Sequence, residues 1–241
     1  MATAERLAQS ARSDSVFFPA MAAAMALTVF AGFSRTFYLR GMFAPPPLST
    51  LMIVHGTVFT AWIALLATQT GLVAANRRDL HMKLGILGTA IAALMVVLGT
   101  MLAIDALRRG SAPAGAPSPI VFFAIPMFAI ATFPVLVGIG IANRARPAWH
   151  KRFMILSSVA LVTAAIARIP LGFIESGGPP VFFALADLFI AAMALYDWAT
   201  LRRVHPATLW AGAILIAAQP LCLIVGATPA WHAFATWTLS L

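Results

Sequence analysis

Long apolar stretches alternate with short polar connections along the whole chain. A helix needs roughly 20 predominantly apolar residues to cross the hydrocarbon layer of a membrane. Stretches of about this length or more lie at 16–39, 50–75, 81–107, 120–143, 150–173, 181–201 and 207–226. The pattern predicts an all-α fold, a polytopic membrane bundle of seven transmembrane helices. Residues 1–14 are then a polar N-terminal tail, and 15–241 form a single transmembrane domain that ends in a short interfacial helix.

Three polar connections combine several cations with a histidine. They lie at 76–83, 143–152 and 202–206 and contain His81, His150 and His205. Two apolar stretches separate each connection from the next, so the pattern places all three on one side of the membrane. Eleven of the 16 Lys and Arg residues fall on that side. Because cytoplasmic loops carry the excess of cations, we expect a cytoplasmic N-terminus and an external C-terminus in a bacterial inner membrane.

The composition agrees with this topology. Hydrophobic residues make up 61 % of the chain and charged residues 10 %, and the mean hydropathy is +0.93. A net charge of +9 on one soluble face would indicate nucleic-acid binding, but these cations lie at helix ends. We therefore expect a lipid bilayer and no nucleic acid as the partner. Cys222 is the single cysteine, which excludes an intrachain disulfide and a cysteine-bound cluster.

One face of the second stretch carries polar and aromatic side chains. His55, Phe59, Trp62, Leu66 and Gln69 follow one another at intervals of three or four residues, the spacing of a helical stripe. The stripe of His55, Trp62 and Gln69 is either a packed seam between helices or the lining of a cofactor or quinone site.

Ionisable residues inside the fifth and sixth stretches need partners, because a lone charge in lipid is costly. Arg168 and Asp187 lie at similar depth in antiparallel neighbours, which predicts a structural ion pair between them or a site for an anionic group. Asp197 lies level with the start of the fifth stretch, where His150, Lys151 and Arg152 are its candidate partners.

The histidines are arranged in two groups. His81 and His150 lie at the cytoplasmic boundary, and His55 and His232 lie near the external one. Imidazoles from facing helices are the axial ligands of b-type haems. The layout is compatible with a haem iron between His81 and His150 and a second one between His55 and His232. The alternative is that each histidine is an ordinary polar residue at the membrane interface.

Two segments carry sequence signatures. The first is H-G-x5-W-x6-Q at 55–69, continued by R-x3-H-x-K-L-G at 77–85, and the second is W-H-K-R-F-M at 149–154. Together they resemble a group of uncharacterised bacterial multi-pass membrane proteins. In layout alone, the histidines are also similar to those of transmembrane di-haem cytochromes b. That resemblance implies haem b as the cofactor, held by histidines near helix ends.

Three functions fit these observations. The first is haem-based electron transfer, with a quinone or a membrane protein complex as the partner. The second is a non-catalytic structural or assembly subunit of a larger membrane complex, and the third is a small-molecule carrier. The chain has no H-E-x-x-H site, P-loop or G-x-S-x-G elbow, the signatures of three common catalytic centres, and the sequence leaves open whether the protein is an enzyme.

Overall fold

The structure is a computed structural model that describes residues 2–112 and 118–240, with side chains from residue 12 onward. Within these ranges every regular element is helical. The helices are α1 (Ala2–Phe33), α2 (Arg40–Phe43), α3 (Thr50–Ala74), α4 (Arg78–Arg108), α5 (Pro119–Ala142), α6 (Pro147–Ser157), α7 (Val159–Ile166), α8 (Gly172–Leu201), α9 (Pro206–Gly226) and α10 (Pro229–Ser240). A π-helical turn, Ser34–Tyr38, follows α1.

Six of the helices are long and apolar enough to cross a membrane. They cover Arg12–Tyr38, Thr50–Ala74, Arg78–Arg108, Pro119–Ala142, Gly172–Leu201 and Pro206–Gly226. Large apolar side chains remain exposed on their outer faces, including Leu27, Ile86, Leu195 and Ile224. A surface of this kind is stable against lipid and not against water. The prediction of an all-helical membrane protein is therefore confirmed.

The stretch 150–173 differs from the single continuous helix that its hydropathy predicts. It is divided at Ser158 into α6 and α7, each shorter than a membrane span. Ser158 keeps right-handed torsion angles, φ −73° and ψ −16°, and its N–H donates to Ile155 in a tighter i→i−3 bond of 3.1 Å. α7 ends at Ile166, before Pro170, since a residue that precedes proline is disfavoured in a helix.

This divided stretch lies inside the bundle. α1, α3, α4, α5, α9 and α8 pack side by side in that order and close with α8 against α1, while α6 and α7 contact α1, α5, α8 and α9. Leu156, Val159, Val162 and Ala165 are at most 1 % exposed. The central position explains why most of α6 and α7 is buried although this stretch contains Lys151, Arg152 and two serines.

The membrane-spanning part of α1, Arg12–Tyr38, contacts α6 and α7 near both of its ends. Near the start of this part and of α6, Lys151 Nζ lies 2.5 Å from an Asp14 carboxylate oxygen. Near the end of this part and of α7, Gly32 packs on Ala165 so closely that a Cβ on Gly32 would lie 2.0 Å from the Ala165 carbonyl oxygen. Only glycine permits this backbone approach.

The described residues near both chain ends are also helical. α1 begins at Ala2, so the backbone of residues 2–14, predicted as a polar tail, belongs to the first helix. α10 confirms the helix predicted near the C-terminus. It packs on α4, α5 and α9, and the Trp231 indole N–H donates to the Ile120 carbonyl at 2.9 Å.

Candidate functional site

His81 and His150 meet at one end of the bundle. Each lies in the first turn of its helix, α4 and α6 respectively. The ring centroids are 6.1 Å apart and the ring planes are nearly perpendicular, at 85°. Both residues are half-buried. The structure thus brings together the two histidines that the sequence analysis paired on this side.

The two rings differ in their hydrogen bonds. His150 Nδ1 lies 2.8 Å from the Gly140 carbonyl oxygen, which can only accept, so Nδ1 carries the proton and Nε2 keeps its lone pair in the neutral ring. An imidazole oriented in this way is typical of a metal ligand. His81 Nδ1 is buried and has no hydrogen-bond partner among the described residues.

Gln69 of α3 completes this cluster. Its Nε2 donates to the His81 carbonyl oxygen at 3.1 Å, while its Oε1 is buried without a partner in the described part of the chain. Nearly all buried polar groups in proteins are hydrogen-bonded. We call Gln69, His81 and His150 the histidine cluster, which contains two unpaired polar atoms contributed by neighbouring helices.

A fully satisfied ion pair lies at the same end of the bundle. Arg152 and Asp197 are 2 % and 0 % exposed, and the Arg152 guanidinium donates to Asp197 Oδ1 through Nε, at 2.9 Å, and through Nη2. Asp197 Oδ2 accepts from the His205 backbone N–H at 3.0 Å and from the Thr208 hydroxyl at 2.5 Å. The partner of Asp197 is thus Arg152, one of the three candidates from the sequence.

The histidine of the third basic connection, His205, has a structural role. Its Nδ1 accepts from the Ala207 N–H at 3.0 Å and caps α9, and its ring lies edge-on to Trp149 at 5.6 Å. Burial lowers the pKa of His205, and the Arg152 guanidinium acts in the same direction. The neutral ring that results is the form that can accept the capping bond.

Contacts between these residues place the three basic connections at one end of the bundle. His81 meets His150, Arg152 meets Asp197, and Trp149 meets His205. We call this end, at which α4, α6 and α9 begin, the basic end. Asp14 of α1 also belongs to it, since it accepts from Tyr196 at 2.8 Å and pairs with Lys151.

The three residues of the predicted stripe on α3, His55, Trp62 and Gln69, make contacts in three different places. Trp62 is buried, and its indole N–H donates to the Ser158 hydroxyl at 3.1 Å, at the break between α6 and α7. Gln69 joins the histidine cluster. His55 stacks on Phe59 of its own helix, with centroids 3.9 Å apart, and its buried Nδ1 has no partner within the described residues.

Arg168 and Asp187, the ion pair predicted from their depth, make other contacts. Arg168 donates to the Ala164 carbonyl at 2.7 Å and lies over the Phe33 ring, with the guanidinium carbon 5.1 Å from its centroid. Asp187 instead accepts from the Gln219 side chain at 2.6 Å. Equal depth does not fix the direction in which a helical side chain points, and these two point to different neighbours.

The second predicted histidine pair is not assembled. His232 is exposed on α10, while His55 is half-buried on α3 and directed towards Leu98 of α4. No ring contact joins the two histidines in the described parts of the chain. His55 and His232 therefore do not form a ring pair like that of His81 and His150.

No family model, curated protein or solved structure matches the chain.

Four uncharged polar residues of these contacts could not be identified from hydropathy: Ser158, Tyr196, Thr208 and Gln219. Each lies in a mostly apolar stretch, whose average hydropathy hides it. Gln219 could have been proposed from the sequence as a partner of Asp187, because it is an amide beside Pro220 in the last span and lies at a similar depth. Thr208 and Ser158 could not be recognised without knowing which helices are neighbours.

Proposed function

We propose that the chain is a bacterial inner-membrane protein with seven crossings and a cytoplasmic N-terminus. α6 and α7 run from residue 147 to 166, a helical length of about 30 Å, which matches the thickness of the hydrocarbon core. Their contacts with α1 at both ends support a full crossing. The excess of cations at the basic end supports the orientation.

We further propose that His81 and His150 are the axial ligands of a b-type haem, and that the protein transfers electrons. The single observation that carries this proposal is the pair of imidazoles on two helices, 6.1 Å apart. One metal ion between two ring nitrogens needs about 2 Å on each side, a spacing that these rings can supply. The unpaired polar atoms of His81 and Gln69 support a bound group at this place.

The number of available ligands favours a haem over a bare ion. Within the described residues no three His, Cys, Asp or Glu side chains form a metal-binding group. A protein zinc site uses three or four protein ligands, whereas a haem brings its own equatorial nitrogens and needs only axial ligands from the protein. Two imidazoles are therefore sufficient for haem b and insufficient for a bare zinc site.

Other residues of the basic end have defined roles in this proposal. The Gly140 carbonyl accepts from Nδ1 of His150, which would leave Nε2 of the same ring free to hold the haem iron. The exposed Arg78, Arg144 and Arg146 are suited to pair with the haem propionates, since guanidinium groups bind carboxylates. A bound haem supplies one-electron chemistry, and its redox partner is a quinone in the bilayer or a subunit of a membrane complex.

The test is a reduced-minus-oxidised absorption spectrum of the purified full chain in detergent. We expect a b-type α-band in the wild-type protein and its loss in His81→Ala and in His150→Ala. His232→Ala is the matched control, because His232 is exposed outside the histidine cluster, and it keeps the band. A wild-type protein without an α-band, or a band that survives both substitutions, overturns the haem proposal and favours the assembly-subunit alternative.

A further inference from the structure

Asp187 is an ionisable residue inside a membrane-spanning helix. It lies ten residues before Asp197 on α8, about 15 Å along the helix axis from the ion pair at the basic end. No Lys, Arg or His side chain lies within ion-pair distance of Asp187 in the described residues. Such a carboxylate is costly in lipid and by default indicates a functional site.

The hydrogen bonds around Asp187 leave acceptors unused. Asp187 Oδ1 accepts from Gln219 Nε2 at 2.6 Å, and this is the one hydrogen bond that either side chain makes among the described residues, so Asp187 Oδ2 and Gln219 Oε1 remain free to accept. Both side chains are half-buried. Pro220 has no N–H to offer the carbonyl of Ile216, one turn earlier, so a further oxygen of α9 lacks its helical donor.

Asp187 and Gln219 line a cavity of about 260 Å³ between α8 and α9, with walls that also include Pro180, Phe183 and Pro220. α8 is irregular next to it, because Gly178 has a positive φ of 59° and precedes Pro179 and Pro180. The cavity thus combines one carboxylate, surplus acceptors and an aromatic ring at a place where the helix geometry is interrupted.

We propose that this cavity binds a primary ammonium group, supplied by a small free amine or by the headgroup of an aminolipid. A primary ammonium has three N–H donors and no acceptor, which complements the surplus of acceptors. Asp187 provides the opposite charge, and the face of a phenylalanine such as Phe183 attracts a cation. An anion would meet the carboxylate with no cationic group to offset it.

The test measures equilibrium binding of radiolabelled methylammonium to the full chain in phosphatidylcholine nanodiscs. We expect saturable binding that weakens at least tenfold in Asp187→Asn, an isosteric change that removes the charge and can still accept from Gln219. Gln219→Leu removes the amide and weakens binding less. Asp105→Asn is the control that leaves binding unchanged, since Asp105 lies on α4 and already pairs with Arg109.

Two further comparisons test whether the ammonium group belongs to a lipid headgroup or to a free amine, and whether its N–H donors are needed for binding. In nanodiscs that contain phosphatidylethanolamine, a lower apparent affinity for methylammonium identifies the lipid headgroup as the occupant, and an unchanged affinity identifies a free amine. Tetramethylammonium, which has no N–H donor, competes poorly in either case. The proposal is overturned if wild-type protein binds no methylammonium, or if folded Asp187→Asn protein binds it as well as wild type.

Discussion

Asp197 shows what an internal charge needs in this protein. Its two oxygens together accept from the Arg152 guanidinium, the Thr208 hydroxyl and the His205 backbone N–H. The donors come from α6, from α9 and from the connection before α9, so one carboxylate joins three parts of the chain. Asp187, with one amide donor, is the contrasting case, and this difference is why a ligand site is assigned to Asp187 and a structural role to Asp197.

Replacing Asp197 tests that structural role. Asp197→Ala leaves the Arg152 guanidinium buried without its counter-charge, and we expect a loss of about 3–5 kcal/mol in the free energy of unfolding. Thermal unfolding of the purified protein in detergent measures this as a lower midpoint. Asp79→Ala is the control, because Asp79 pairs with Arg77 at an exposed position where ion pairs contribute little. Equal midpoints for wild type and Asp197→Ala would contradict the structural role.

Side-chain partners were predictable from the sequence only where few alternatives existed. Depth along the helices was sufficient to reduce the partners of Asp197 to three adjacent residues, of which Arg152 is correct. The same reasoning paired Arg168 with Asp187, but Phe33 and Gln219 lie in the directions in which these side chains point. Which neighbouring residue a helical side chain contacts depends on how the helices are arranged around it. Hydropathy along the chain does not contain that information.

The bounds of some helices, by contrast, follow closely from the apolar pattern, whereas α1 and α8 begin at Ala2 and Gly172, well before the predicted 16 and 181. The predicted 50–75 and 207–226 correspond to Thr50–Ala74 and Pro206–Gly226, because loops rich in cations, Gly and Pro end each stretch. The division of 150–173 at Ser158 was not predictable in this way. It occurs where the Trp62 indole donates to the Ser158 hydroxyl, a contact between residues 96 positions apart in the chain.

The packing of α1 on α7 depends on Gly32 and predicts the effect of one added methyl group. Gly32→Ala places a Cβ against the Ala165 backbone, which cannot rotate away, and we expect a loss of about 1–3 kcal/mol, as for overpacked cores. In Gly71→Ala, the control, the new Cβ meets no atom within 4 Å, and the higher helix propensity of alanine leaves stability unchanged or raised. Thermal unfolding midpoints compare the two variants, and a Gly32→Ala protein as stable as wild type would contradict the close approach.

At the scale of the whole molecule, the divided stretch decides the topology. If α6 and α7 together cross the bilayer, the connections before α6 and after α8 lie on the same side. If they do not cross, every segment after them lies on the opposite side from the one proposed. The central position of α6 and α7, with α1, α5, α8 and α9 around them, favours the crossing, because lipid reaches little of their surface.

Cysteine labelling distinguishes these two topologies, since Cys222 is the only native cysteine. In a Cys222→Ala background, single cysteines replace exposed residues of four connections: Ser111, Arg144, Leu171 and Arg203. With seven crossings and a cytoplasmic N-terminus, a membrane-impermeant maleimide added to intact spheroplasts labels positions 111 and 171 and not positions 144 and 203. Without a crossing by α6 and α7, position 171 is protected and position 203 is labelled. The pair 171 and 203 therefore decides between the topologies, while 111 and 144 report the orientation of the preceding helices in both.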